Sequence, residues 1–176
     1  MRSAKTEELD VQLYNTFWLK LQQSKFDLIY YGLHFNSCAK ISRWIKYVII
    51  GITSLATGAW MAWDGLPIVK TTCAIIILAS QVISAISEKF PYESRKLELR
   101  ELIAELEPLY LEMENDWRSI QNLKMPNSKI QETIQHYDKK QAEIKRHYFK
   151  DDSLPEPDKF RLLANEKTEE YFNYFT

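Results

Sequence analysis

Histidine and carboxylate side chains, which most often do chemistry in proteins, are scattered through this sequence. His34, His136 and His147 form no HExxH or HxxxH pattern, and the last two stand eleven residues apart. On one helix that spacing gives a shared face but a separation of about 16 Å, too far to bind one ion. We therefore predict no metal site and no cofactor, with the histidines at a surface or an interface.

A run of glutamates could supply paired carboxylates for acid–base catalysis. Basic residues border this run, however, and no nucleophile motif or glycine-rich phosphate loop follows it. We therefore predict a solvated helix face, no catalytic residue and a protein that is not an enzyme. The glutamates are Glu98, Glu101, Glu105, Glu107, Glu112 and Glu114.

Small and weakly polar residues form two spaced series in the most apolar part of the chain. The first series is Gly51, Ser54, Gly58 and Ala62; the second is Cys73, Ser80, Ser84 and Ser87, with Gln81 beside them. Small residues let helices approach closely in lipid, where polar groups must face protein or water. Two interpretations stay open: close packing within a hairpin or between subunits, or a polar pathway through an oligomer.

Both series lie in uncharged apolar runs, Tyr47 to Trp63 and Thr71 to Ser87, joined by a short connection. Each run is about 17 residues, or roughly 25 Å of helix, which is the lower limit for crossing a bilayer. We predict a two-helix transmembrane hairpin over residues 44–90. The alternative is a buried hairpin in a soluble helical protein, but neither run has the polar stripe of such a helix.

Aromatic and basic residues flank the runs, as they do at membrane interfaces. The predicted interface anchors are Trp44, Lys46, Trp60, Trp63 and Lys70. Basic residues bracket the hairpin on its outer sides, whereas the connection contains Lys70 alone. The positive-inside rule then predicts that both termini are cytoplasmic.

The remaining segments are predicted as helices: one over residues 1–43, one over 91–125 and a pair over 126–176. Pro108 should bend or break the second of these, and Asn127 or Ser128 should cap the next. The predicted fold class is all-α, a membrane protein with a two-helix transmembrane hairpin and long cytoplasmic helices that form a coiled-coil-like bundle. The apolar positions at helical spacing include Leu13, Phe17, Leu21, Leu109, Met113, Trp117, Ile120, Ile130, Ile134, Tyr137 and Phe172.

Composition excludes several classes of protein. The chain has 176 residues and a net charge of −1, and its basic and acidic residues are interspersed outside the hairpin flanks. That pattern predicts no nucleic-acid partner. Early acidic residues argue against a cleaved signal or transit peptide. Cys38 and Cys73 are predicted to be reduced thiols.

The layout from about Tyr30 to Leu123 resembles the SLATT family, the SMODS and SLOG-associating two-transmembrane effector domains of prokaryotic conflict systems. The matching segments are Tyr31-Gly32-Leu33-His34, Trp44-Ile45-Lys46, Ile50-Gly51-Ile52-Thr53-Ser54 and Gln81-Val82-Ile83-Ser84-Ala85-Ile86. They are similar in composition and layout rather than in a catalytic signature.

The resemblance implies an effector that forms homo-oligomers in the bacterial inner membrane and perturbs the lipid, as a pore, in antiphage defence. It also implies a separate nucleotide-generating or sensing partner that triggers the effector through its cytoplasmic helices. The alternatives are a membrane-anchored coiled-coil scaffold without pore activity, or a holin-like or small transport component.

Overall fold

A computed structural model gives the architecture of the chain. It describes residues 2–62, 67–87, 91–122, 125–149 and 157–173, with side chains for all of these except 2–10, 59–62, 69, 84–87 and 91–93. These residues form helices and no strand, which confirms the all-α prediction. The helices are α1 (Arg2–Ala62), α2 (Pro67–Ser87), α3 (Pro91–Gln121), α4 (Asn127–Tyr148) and α5 (Asp158–Asn173).

One continuous helix, α1, contains both the predicted N-terminal helix and the first apolar run. α1 continues for 61 residues, through the boundary predicted near residue 43. No proline or glycine lies between Lys40 and Tyr47 to end it. The predicted restart near residue 91 is confirmed, because α3 begins at Pro91, where a missing backbone N–H costs least.

The chain divides into two compact units. The hairpin unit is Phe35–Leu97, and the bundle unit comprises Met1–His34 and Glu98–Thr176. The hairpin unit contains the end of α1, all of α2 and the start of α3. Across the part of the chain that the structure describes, no helix combines the length and the apolar character that crossing a bilayer requires.

In the bundle unit, contacts between side chains give the direction of each helix. α1 and α3 are antiparallel, because Phe17 stacks on Trp117 while Lys25 lies over the ring of Tyr110. α1 and α4 are parallel, and three polar pairs at successive turns connect them. These pairs are Lys20–Asp138 (2.7 Å), Ser24–Gln141 (3.0 Å) and Asp27–Lys145.

α5 completes the bundle and is antiparallel to α1, since Trp18 contacts Phe172 and His34 contacts Phe160. The unit is therefore an up-down-up-down arrangement of α1, α3, α4 and α5. All four helices contribute to one core, at positions that the helical spacing predicted except for Tyr110, which it did not predict. The buried members are Phe17, Leu21, Leu109, Tyr110, Met113, Ile120, Ile130, Tyr137 and Phe172.

Two local predictions need correction. α3 continues through Pro108, so the predicted break after Glu107 is wrong, whereas the alternative, a bend at Pro108, stays a prediction. Pro108 has no backbone N–H to donate to the carbonyl of Ala104. Because Pro108 lies on an exposed face, that carbonyl can accept a hydrogen bond from water instead. The cap of α4 is Pro126, in an extended conformation, so Asn127 and Ser128 already lie in the first turn.

Because of its buried tyrosines, the bundle unit is expected to lose stability at alkaline pH. Burial raises the pKa of Tyr137, and the hydrogen bond from its hydroxyl to Asp116 (2.8 Å) raises it further. The unfolded chain releases the same proton near pH 10. The stabilising contribution is thus complete below about pH 10 and is lost as the pH rises above it.

We expect urea unfolding in detergent, followed by circular dichroism, to show lower stability at pH 11 than at pH 8. Each tyrosine of this kind contributes about 1 kcal/mol to the loss. In Tyr137→Phe the loss between the two pH values should be smaller by that amount, because one ionisable hydroxyl has been removed. An unchanged loss would show that Tyr137 is not responsible.

Candidate functional site

The hairpin unit has small residues inside and large apolar residues outside. The buried apolar residues among its described side chains are Ala56 and Cys73, and the buried polar ones are Ser42 and Ser80. None of these has a large side chain. Small inward positions allow helices to lie close together without interlocking large side chains.

Of the 18 exposed large hydrophobic side chains in the described residues, 14 belong to the hairpin unit. They are Ile41, Trp44, Tyr47, Val48, Ile50, Ile52, Leu55, Ile68, Ile75, Ile76, Leu78, Val82, Ile83 and Leu97. The other four, in the bundle unit, are Val11, Leu19, Leu111 and Leu162. An exposed apolar surface this extensive is typical of regions that contact another protein or a membrane.

The two units therefore have opposite radial distributions of apolar residues. In the bundle unit Phe17 and Ile130 are fully buried, whereas in the hairpin unit Leu55 is 76% and Ile68 is 80% exposed. The bundle unit follows the rule for proteins in water. The hairpin unit reverses that rule.

The predicted close-packing positions are not closely packed within one chain. Gly51, Ser54 and Gly58 are exposed, and a Cβ atom added to either glycine would meet nothing within 4 Å. The side chain of Ala62 lies outside the described residues. Contact at these positions between subunits stays a prediction.

Two residues of the predicted polar face, Ser80 and Gln81, have described side chains. Ser80 is buried and its hydroxyl donates to the carbonyl of Ile76 (2.8 Å), while Gln81 is exposed. Consecutive residues on a helix point about 100° apart, so these two do not share one face. The side chains of Ser84 and Ser87 lie outside the described residues.

Three of the predicted interface anchors have described side chains. Trp44 is 71% exposed, Lys46 is exposed and Lys70 is half-buried. The side chain of Trp60 and all of Trp63 lie outside the described residues. The exposed indole of Trp44 is compatible with an interfacial position, and the role of all five as anchors stays a prediction.

Hydroxyl groups in the hairpin unit bond to their own helices. Thr53, Thr57, Thr71, Thr72 and Ser80 each donate to the carbonyl four residues earlier, at 2.8 to 3.0 Å. Such bonds satisfy a hydroxyl without water. They reduce the polar character of the outer surface of α2.

The three histidines, all within the described residues, are not brought together. His34 is buried between the rings of Tyr30 and Phe160, whereas His136 and His147 are exposed. Within the described ranges, no three His, Cys, Asp or Glu side chains are grouped closely enough to hold a metal ion.

Glu114 was predicted on a solvated face but is buried in the bundle. It accepts hydrogen bonds from Arg118 and from the hydroxyl of Tyr171 (3.2 Å). Lys25 lies 3.7 Å from the centre of the Tyr171 ring, and burial lowers its pKa although Glu114 opposes the shift.

A cleft of about 660 Å³ lies between α1 and α5 in the bundle unit. Its lining combines aromatic rings, amides and charged groups, including Phe26, Gln22 and Arg161. Asp27 in this lining already accepts hydrogen bonds from Gln23 (2.9 Å) and Lys145. The cleft offers hydrogen-bonding groups to a small polar molecule. The sequence did not predict this cleft, because it forms between two helices and the apolar spacing describes each helix separately.

The chain was compared with models of protein families, with characterised proteins and with solved structures, and none of the three comparisons finds a match.

Proposed function

We propose that this protein is a homo-oligomeric effector of the bacterial inner membrane, with both termini in the cytoplasm. In the proposal the hairpin unit crosses the lipid twice, and the flanking Trp44, Lys46 and Lys70 extend its described helices, which fall short of a span by themselves, to the headgroups. In this role it perturbs the membrane or forms a pore during antiphage defence. The observation that carries the proposal is the reversed distribution of apolar residues in the hairpin unit.

The free energy of hydration supports a lipid environment for this unit. Moving a large apolar side chain out of water contributes about 1.5 to 3 kcal/mol when it is fully transferred. Fourteen such side chains, each partly exposed, correspond to well over 10 kcal/mol. That is comparable to the whole net stability of a domain, so water is a poor solvent for this surface.

The polar groups of the hairpin unit are arranged in a way that lipid tolerates. The five hydroxyls that bond to their own helices leave few unsatisfied donors. The proposal places the remaining polar side chains, Gln81 among them, between subunits rather than against lipid. The trigger, a separate nucleotide-generating or sensing partner, is supported by the sequence resemblance alone.

The direct test is leakage from vesicles. Purified full-length protein reconstituted into liposomes should release an encapsulated dye or ions, and release should rise steeply with the ratio of protein to lipid. Failure to release either solute at any ratio, with or without a nucleotide trigger, would remove the pore from the proposal.

A membrane-anchored scaffold is the second candidate, and the positions of Ser80 and Gln81 favour it. Ser80 already bonds to its own helix, and Gln81 lies on a different face, so these two residues of one chain do not form a continuous polar path. A scaffold needs apolar contact with lipid but no such path.

Gln81→Leu separates the two candidates. If Gln81 lines a pathway between subunits, leucine should reduce leakage about ten-fold or more, because it replaces a water-binding amide with an apolar group. Ile83→Leu, at an exposed apolar position two residues later, is the control and should leak normally. A Gln81→Leu variant that assembles and leaks like the wild type favours the scaffold.

A further inference from the structure

The cleft between α1 and α5 contains polar side chains that the bundle unit does not use for its own packing. Four of them line the cleft: Gln22, Arg161, Asn165 and Glu169. Among the described residues, none of these four side chains has a hydrogen bond or an ion pair. The cleft volume of about 660 Å³ lies within the range of small-ligand sites, about 300 to 1,000 Å³. The four groups are therefore available to a ligand.

Other polar residues of the lining are already satisfied. Asp27 accepts a hydrogen bond from Gln23 (2.9 Å) and forms an ion pair with Lys145. The hydroxyl of Thr168 donates to the carbonyl of Ala164 (2.7 Å). Since the ion pair compensates the charge of Asp27, the described lining leaves one cation and one anion for a ligand.

These two charges lie at opposite ends of the cleft. Arg161 and Glu169 are eight residues apart on α5, or about 12 Å along the helix, and Asn165 is midway between them. Because α1 is antiparallel to α5, Gln22 lies nearer the Glu169 end and Phe26 nearer the middle. The cleft therefore has a cationic end, an anionic end, and amide and aromatic groups between them.

This order of groups selects among classes of ligand. A single amino acid does not fit, because its ammonium and carboxylate are attached to one carbon atom. An extended peptide rises about 3.3 Å per residue, so about three residues bring its charged termini close to both ends of the cleft. Side-chain amides can donate to and accept from its backbone, and an aromatic ring can cover an apolar side chain. A nucleotide is disfavoured, since the carboxylate at one end repels a net negative ligand.

From the separated charges and the amides between them, we infer that the cleft binds a short zwitterionic peptide of about three residues. Arg161 donates two parallel hydrogen bonds to the peptide carboxylate, and Glu169 accepts from the peptide ammonium. The amides of Gln22 and Asn165 bond to the backbone between these ends. The site goes beyond the proposed membrane function, because no part of that function uses the cleft.

Isothermal titration calorimetry of full-length protein in detergent tests the inference with the tripeptide Ala-Phe-Ala. The same peptide with an acetylated N-terminus lacks the cation, and with an amidated C-terminus it lacks the anion. Each blocked peptide should bind about ten-fold more weakly, because one charged hydrogen-bonding partner has been removed. Free phenylalanine should also bind more weakly than Ala-Phe-Ala.

Substitutions assign each end of the peptide. Arg161→Gln should bind Ala-Phe-Ala about ten-fold more weakly but should bind the amidated peptide like the wild type, because that pair is already lost. Glu169→Gln should show the same behaviour with the acetylated peptide. A general disturbance of the fold would instead weaken all the peptides alike.

Lys167→Gln and Glu166→Gln are the matched controls, because they remove one charge of each sign from exposed positions of α5 outside the cleft lining. Both should bind Ala-Phe-Ala normally. No binding of Ala-Phe-Ala at about 1 mM would overturn the inference. So would equal affinity for the free and blocked peptides, tighter binding of adenosine monophosphate, or controls as weak as the cleft variants.

Discussion

Phe17→Ala is expected to destabilise the bundle unit by about 3 to 5 kcal/mol, the range for deleting a fully buried aromatic ring. The ring is completely buried, stacks on Trp117 at 5.9 Å and meets the edge of Tyr137 at 6.3 Å. It therefore joins α1 to α3 and α4 at one point. Since domains are stable by only about 5 to 15 kcal/mol, this loss is a large share of the total.

Urea unfolding in detergent, monitored by the helical circular dichroism signal, measures the effect. Leu19→Ala is the control, because it also shortens a large apolar residue of α1 but at a position that is 63% exposed. It should change the free energy of unfolding by no more than about 0.5 kcal/mol. Similar losses in the two variants would mean that α1 does not pack as described.

Gly58→Leu is expected to leave the single chain folded and to weaken subunit assembly about ten-fold or more. A Cβ atom at Gly58 would meet nothing within 4 Å, so one chain has room for a side chain there. If Gly58 lies where helices of two subunits cross in lipid, leucine holds them apart and removes close packing. Dye release should fall with assembly, because both depend on the same contact.

Thr57→Leu is the matched control for this experiment. Thr57 is the preceding exposed residue of α1, about 100° around the helix, and its hydroxyl bonds only to the carbonyl of Thr53 (2.8 Å) among the contacts described. It should assemble and leak normally. Chemical cross-linking in the membrane measures assembly, and a Gly58→Leu variant with unchanged oligomers and unchanged leakage contradicts the proposal.

The sequence predicted the helical elements well because their patterns are local. Phe17, Leu21, Met113 and Ile130 recur at helical spacing and are all buried in the core. The restart at Pro91 was also predictable, because proline is tolerated in the first turn. These features depend on periodicity and on backbone chemistry within a few residues.

The predictions that were wrong depend on solvent and on neighbouring helices. Pro108 is tolerated within α3 because it lies on an exposed face, and Glu114 is buried because Arg118 and Tyr171 satisfy it. Neither fact follows from spacing. The roles predicted for Gly51 and Gly58 stay predictions, since their surroundings in one chain are open and a contact there would have to come from another subunit.

The single helix α1 belongs to both units, so the placement of its large apolar side chains changes from the buried face to the exposed face along its length. Before His34 its buried face carries large side chains such as Phe17 and Leu21, whereas after Phe35 the buried residues among its described side chains are Ser42 and Ala56. Tolerance to amino-acid exchange should therefore reverse along one uninterrupted helix. In a saturation scan, polar residues should be accepted on the outer face near Leu19 but rejected on the outer face near Leu55, where one large apolar residue should replace another freely.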